Sequence, residues 1–253
     1  MEHTPSTSDP VRILILGASG GIGAAVARAT RNRGWIPILA GRNRERLLAL
    51  SEDLGASWKP LEGLGKEPME NLFDEVAQEQ GGLEGVVNAI GSLFLRPAHL
   101  TAQADFEETL RINLGSAFAC VAAAGSALRR KGGSVVLFSS AAARVGLANH
   151  EAIAAAKSGI VGLARSAAAT YARAGIRFNV VSPGLVETPL TQTITSKEGS
   201  RKASEKLHAL GRLGQPEEIA SAAVWLLDPA QSWVTGQDIG VDGGLGSIIA
   251  SHH

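Results

Sequence analysis

The chain has 253 residues, 45% hydrophobic and 19% charged, enough apolar material for a large core and too ordered a composition for intrinsic disorder. Lys plus Arg equals Asp plus Glu at 24 each, a balance that argues against nucleic acid or an anionic membrane as the main partner. The single cysteine, Cys120, excludes an internal disulfide and supplies no metal cluster, so no metal site is expected; within "SAFACVAAAG" it reads as a small core residue.

Residues 1–10, "MEHTPSTSDP", are polar and lack the apolar run of a signal peptide or anchor, and a flexible tail is expected there. "VRILILGA" (11–18) predicts a buried strand, and "GIGAAVARATRNRG" (21–34) a helix closed by glycine. "IPILAG" (36–41) is the next strand and "NRERLLALSEDLG" (43–55) the next helix. "SWKPLEG" (57–63) is a weaker strand that Pro60 pushes toward a sheet edge. A helix over 67–80, a strand over 83–91, a long helix over 102–130 and a strand over 133–140 follow. A second long helix begins near His150 and runs to about Arg173. "IRFNVVSPG" (176–184) is a strand, 185–211 reads as polar and irregular, 216–228 is a helix, and "QDIGVDGG" (237–244) closes the pattern. No apolar stretch reaches spanning length without a charge; the Ala-rich 152–169 contains Lys157 and Arg165. A soluble, cytoplasmic protein is expected.

Repeated strand–helix alternation with continuous apolar strands predicts an α/β fold: one Rossmann-type domain over 11–250, a doubly wound parallel sheet with helices on both faces. In "GASGGIG" (17–23), which follows the first strand and opens the first helix, Gly17 permits a tight turn. Gly21 lets backbone approach a pyrophosphate, and Gly23 lets the helix pack on the strand. The helix N-terminus then favours the anion. The second strand ends in Gly41 and Arg42, without the Asp or Glu that usually binds an NAD ribose. Arg42 either forks onto a 2′-phosphate, with Ser19 and Asn43 as neutral donors, or is a solvated helix-start residue. The first alternative favours NADP(H) over NAD(H).

The spacing Gly17–x3–Gly21–x–Gly23, "NAIG" (88–91), "RINLGS" (111–116), "LFSS" (137–140), "SPGLVET" (182–188), "GRLGQPEEIA" and "TGQDIGVDGG" occur in order along nearly the whole chain. Together they resemble the short-chain dehydrogenase/reductase family. The resemblance implies hydride transfer between nicotinamide and a carbonyl or alcohol carbon of a small-molecule substrate. It implies that Ser140 holds the substrate oxygen, Lys157 binds the nicotinamide ribose and Asn113 supports a water leading to that lysine. It places Gly17, Ser19, Gly21, Ile22, Gly23, Asn88, Gly91, Pro183, Gly184, Val186 and Thr188 along the dinucleotide, and makes 185–211 a substrate lid. Its proton-transferring tyrosine, however, is replaced by Ile153. The only tyrosine, Tyr171, lies near the far end of that helix and cannot substitute.

Isoleucine cannot donate a proton. His150 lies seven residues before Lys157, about 20° out of register on a helix, so both share one face. A divergent enoyl-reductase branch of the same superfamily uses that seven-residue separation, and imidazole is a competent acid–base group near neutral pH. The other reading of His150 is an exposed first-turn residue behind an N-cap at Asn149. The leading expectation is an NADP(H)-dependent oxidoreductase with His150 in place of tyrosine, acting on a carbonyl, an alcohol or an enoyl compound. The alternative is a catalytically silent NADP(H)-binding sensor or scaffold. The Ala- and Gly-rich helices 102–130 and 150–173 let neighbouring helices approach closely, and the family pairs them in a dimer or tetramer.

Overall fold

The computed structural model describes residues 10–249; the tail expected over 1–10 lies almost wholly outside them. Seven strands form one parallel sheet in the order β3-β2-β1-β4-β5-β6-β7. They are β1 (Arg12–Leu16), β2 (Ile36–Gly41), β3 (Ser57–Pro60), β4 (Gly85–Asn88), β5 (Gly133–Phe138), β6 (Ile176–Pro183) and β7 (Asp238–Val241). Successive side chains point to opposite faces, so each strand feeds two cores. On one face Leu14, Leu16, Val86, Val135, Leu137 and Phe178 pack with Phe73 of α3 (Lys66–Gln80), Cys120 of α5 (Ser116–Ala127) and Ile160 of α6 (Glu151–Tyr171). On the other, Ile13, Ile15, Leu39, Val87, Val136 and Val181 meet Val26 of α1 (Gly21–Asn32), Leu47 of α2 (Arg44–Leu54) and Ile219 of α9 (Pro216–Leu227). Burial on both faces is why these strands read as unbroken apolar runs.

Local chemistry sets the boundaries. The Asn43 side chain accepts from Arg46 N at 2.9 Å and starts α2, while Gly55 ends it in the left-handed conformation. Pro60 lies in β3 at the sheet edge, as its missing N–H demands. The chain reverses direction across the sheet between β1 and β4, which opens a crevice at the carboxyl ends of those strands.

Three expectations need correction. The helix over 102–130 is interrupted: α4 (Gln103–Leu110) passes through a π-helical turn, Arg111–Gly115, into α5. Side chains capture the carbonyls of the widened turn, Asn113 Nδ2 donating to Thr109 O at 3.0 Å and Ser116 Oγ to Ile112 O at 2.6 Å. Together Gln103–Ala127 are long and apolar enough to cross a membrane, but half of that stretch is buried and Cys120 and Ala124 sit inside the core. Segment 185–211 is not irregular; it holds α7 (Gln192–Thr195) and α8 (Glu198–Leu207). Ion pairs one turn apart, Lys202 with Glu198 and Arg201 with Glu205, support α8. Lastly, α6 starts at Glu151, with His150 rather than Asn149 at its N-cap.

Candidate active site

The glycine turn is packed too tightly for side chains. Gly17 has φ 78°, and a Cβ there would lie 2.8 Å from the Ala89 carbonyl carbon. A Cβ at Gly23 would fall 2.3 Å from Gly17 O, so α1 rests directly on the turn. At Gly21 the obstacle is not open ligand space but the Thr188 methyl, 2.8 Å from a Cβ. Thr188, near the start of the 185–211 segment, therefore sits against the loop expected to hold phosphate. No side chain caps α1, which leaves its first amides, including those of Ile22 and Gly23, for an anion.

At the end of β2, a Cβ on Gly41 would lie 3.2 Å from Ser19 Oγ, so the two sit side by side. Arg42 is exposed and makes no ion pair among the described residues. Asn43 Oδ1 is committed to capping α2, leaving only its amide N–H groups outward. The sequence reading missed Glu108 on this rim. Its carboxyl is held below the ordinary value first by the hydrogen bond from Arg111 and also by the charge of Arg42.

Further along the crevice, Asn88 is buried, accepts from Ile90 N at 3.1 Å and faces Ser116 Oγ at 3.5 Å. The π turn aims Asn113 toward the same place: wholly buried, it donates to Ser92 Oγ at 3.0 Å and accepts from Ser92 N at 3.2 Å. Ser92 carries no sequence signal that separates it from any loop serine. A Cβ at Gly91 would lie 3.2 Å from Asn113 Oδ1 and 3.6 Å from Lys157 Nζ. Asn113, Gly91 and Lys157 thus converge.

Lys157 is buried on α6, and its Nζ donates one hydrogen bond, to Phe138 O at 3.0 Å. Burial pulls the ammonium from its ordinary 10.5 down to about 8. Its other N–H groups have no acceptor among the described residues. Ser139 Oγ donates to Lys157 O at 2.8 Å and fastens the helix to the end of β5. Ser140 is extended and its Oγ accepts from Ala142 N at 3.1 Å, which leaves the hydroxyl proton to give. Ile153 is buried between these groups in sequence and adds no polar atom.

His150 is not placed by helical periodicity. Its backbone (φ −106°, ψ 12°) is outside the helix, and the preceding Asn149 is left-handed at φ 66°. The loop instead hangs on Arg96 N, which donates to Asn149 O at 2.9 Å, and on His150 Nδ1, which donates to Ala148 O at 2.8 Å. With Nδ1 carrying that proton, Nε2 is the nitrogen left to exchange one.

Across the crevice, Pro183 ends β6 and Gly184 N donates to Val241 O at 3.2 Å. Val186 bridges Gly214. Thr188 opens a capping box with Thr191, which shapes the entry to α7. The sequence reading passed over His208 entirely, although its ring lies against Gly184.

This geometry has close counterparts. A family profile described as enoyl-(acyl carrier protein) reductase matches residues 17–246. D-threitol dehydrogenase of Mycolicibacterium smegmatis is 36% identical over 238 residues, 91% of each chain. The 3-oxoacyl-[acyl-carrier-protein] reductase of Bos taurus is 35% identical over 91% of this chain and 96% of its own. A short-chain type dehydrogenase/reductase from Mycobacterium ulcerans superposes with TM-score 0.88 at 28% identity, covering 95% of this chain and 91% of that one.

The chain belongs to the short-chain dehydrogenase/reductase family.

An actinorhodin polyketide ketoreductase solved with NADPH shares the family fold at TM-score 0.90 and 26% identity, over 96% of this chain and all of that one. Members of this oxidoreductase family bind a nicotinamide cofactor. The residues here fit one: uncapped amides at α1, no side chain at Gly91, and a buried ammonium with N–H groups to spare.

Proposed function

We propose that this short-chain dehydrogenase/reductase is an NADP(H)-dependent enzyme that reduces a carbonyl, or oxidises the matching alcohol, with His150 in place of the family's tyrosine. The observation that carries the reading is the convergence of Lys157, Asn113 and Gly91 beside the Ser140 strand end, kept intact although Ile153 is apolar. A bound nicotinamide would supply or accept the hydride. Lys157 would hold the ribose, and Asn113 would keep the wall beneath it rigid through its three hydrogen bonds. Ser140 would donate to the substrate oxygen. In the reducing direction that oxygen gains a negative charge as the C–H bond forms, and the protonated Nε2 of His150 transfers its proton there, leaving neutral imidazole. The Nδ1 bond to Ala148 O keeps that tautomer.

Support for NADP(H) comes from exposed Arg42, Ser19 beside Gly41, and the lack of a carboxylate at the end of β2. The relatives' names are those of dehydrogenases and reductases, which favours an enzyme over a binding-only protein. The homo-oligomer reading is supported by an apolar hollow on α4–α6 that includes Leu110, Leu114, Phe118 and Leu163, with Phe118 57% exposed. Phe118→Glu is expected to shift light scattering from dimer or tetramer toward monomer.

The test of the chemistry is NADPH consumption against a panel of ketones, aldehydes and enoyl compounds. Turnover on at least one class is expected. A silent parent protein that gains turnover from Ile153→Tyr would remove His150 from the mechanism.

A further inference from the structure

His208, at the end of α8, is 2% exposed and uses both ring nitrogens. Nδ1 lies 2.7 Å from Ser204 O, and a carbonyl can only accept, so Nδ1 carries the proton. Nε2 therefore has a lone pair, and Leu185 N donates to it at 3.1 Å. The ring fills space that side chains elsewhere would claim. A Cβ at Gly184 would lie 2.6 Å from Nε2, and one at Gly243 would lie 3.4 Å from His208 Cβ. One neutral imidazole thus ties the helix over the site to the turn after Pro183 and to the turn after β7.

We infer that His208 is a positioning residue that holds the turn 183–186 in its dinucleotide-binding form, and only while its ring is neutral. The inference rests on the cofactor reading above, which sets that turn along the nicotinamide. An imidazolium has no lone pair at Nε2, so Leu185 N would face a second N–H, and the tie between α8 and the turn would be lost. The charged groups around the ring are committed elsewhere. Asp242 accepts from Gly244 N and Gly246 N, Arg212 pairs with Glu218, and Glu205 pairs with Arg201. Among the described residues none of these carboxylates forms a hydrogen bond or ion pair with the ring. Binding that requires the neutral form must, by linkage, make the ring harder to protonate.

The test uses the whole protein and reads binding. Histidine ¹⁵N NMR of the parent protein, with and without NADPH or NADH, is expected to show His208 as the Nδ1–H tautomer. Saturation with dinucleotide should make the ring about tenfold harder to protonate, the reciprocal of the coupling. In parallel, Kd for NADH, which has no 2′-phosphate to titrate, is measured between about pH 5.5 and 7.5. The parent is expected to lose affinity about tenfold toward the acid end. His208→Gln offers Leu185 N an acceptor that does not titrate, and its Kd should lack that roughly tenfold acid-side loss. An unchanged titration of His208 on binding, or a His208→Gln protein with the parent's pH dependence, overturns the inference. Should that variant fail to fold, the NMR comparison decides alone. If neither dinucleotide binds at about pH 7.5 the cofactor reading fails with it, whereas binding without linkage sinks only the role of His208.

Discussion

Two of the left-handed turns in this molecule, at Gly17 and at Asn149, serve different ends. Gly17, at φ 78°, is pressed against the Ala89 backbone and the start of α1, so every atom around it constrains the next. Asn149, at φ 66°, leads into α6 on a loop hung from one backbone hydrogen bond to Arg96 and one ring contact from His150. The first turn is the proposed dinucleotide site and is over-determined by packing. The second carries the candidate proton donor and is held by few contacts. Close packing leaves the glycine turn no alternative residue, while a loosely held loop tolerates substitution.

The strongest way to break this contrast is His150→Ala. Carbonyl reduction is expected to fall roughly 10²–10⁴-fold, the usual worth of a general acid, while NADPH affinity stays within about twofold. Ile153→Tyr on that background should recover part of the rate. Parent-level turnover in His150→Ala would mean that water or the substrate supplies the proton.

Lys157 tests the packed side. Its ammonium is charged at a cost in the folded, ligand-free protein, since its pKa falls to about 8 from the ordinary 10.5. Between those values the unfolded chain binds more protons than the native one, so stability rises with pH through this window. Below about 8 the full penalty, on the order of 3 kcal/mol, persists. Denaturant melts from pH 7 to about 10.5 should show that rise over the background of the surface charges, and Lys157→Met should lack it. Superimposable pH profiles for the two proteins would contradict the burial argument.

Arg42→Asp sharpens the comparison at the outer rim. Loss of one charge-assisted contact predicts NADPH binding weaker by about 1.5–3 kcal/mol, with NADH affinity little changed. Equal affinities for the two dinucleotides in the parent protein would overturn the assignment. The smallest effect belongs to Asn149. Asn149→Ala should cost about 1 kcal/mol in thermal unfolding because a Cβ without a polar group resists the left-handed region, whereas Asn149→Gly should be close to neutral. A fully tolerated alanine would show that the loop relaxes freely.

The amino-acid sequence by itself indicated the sheet and its layers, because continuous Val, Ile and Leu runs of strand length separated by amphipathic segments are buried when helices cover both faces of a parallel sheet. It also marked the glycine turn by its place between strand and helix, and the resemblance to the short-chain dehydrogenase/reductase family singled out Asn113, Ser140 and Lys157 and the apolar Ile153 where that family has a proton donor. Only the tertiary structure decided what depends on contacts across the fold or on departures from regular periodicity. The π turn that aims Asn113 at Ser92 arises from side chains capturing carbonyls, which no helical repeat encodes. His150 fell outside α6, so a face computed at 100° per residue did not apply to it. Thr188 reaches Gly21 and His208 reaches Leu185 across long stretches of chain. Those pairings exist because β1 and β6 end at the same edge of the sheet, a fact of topology rather than of any local pattern.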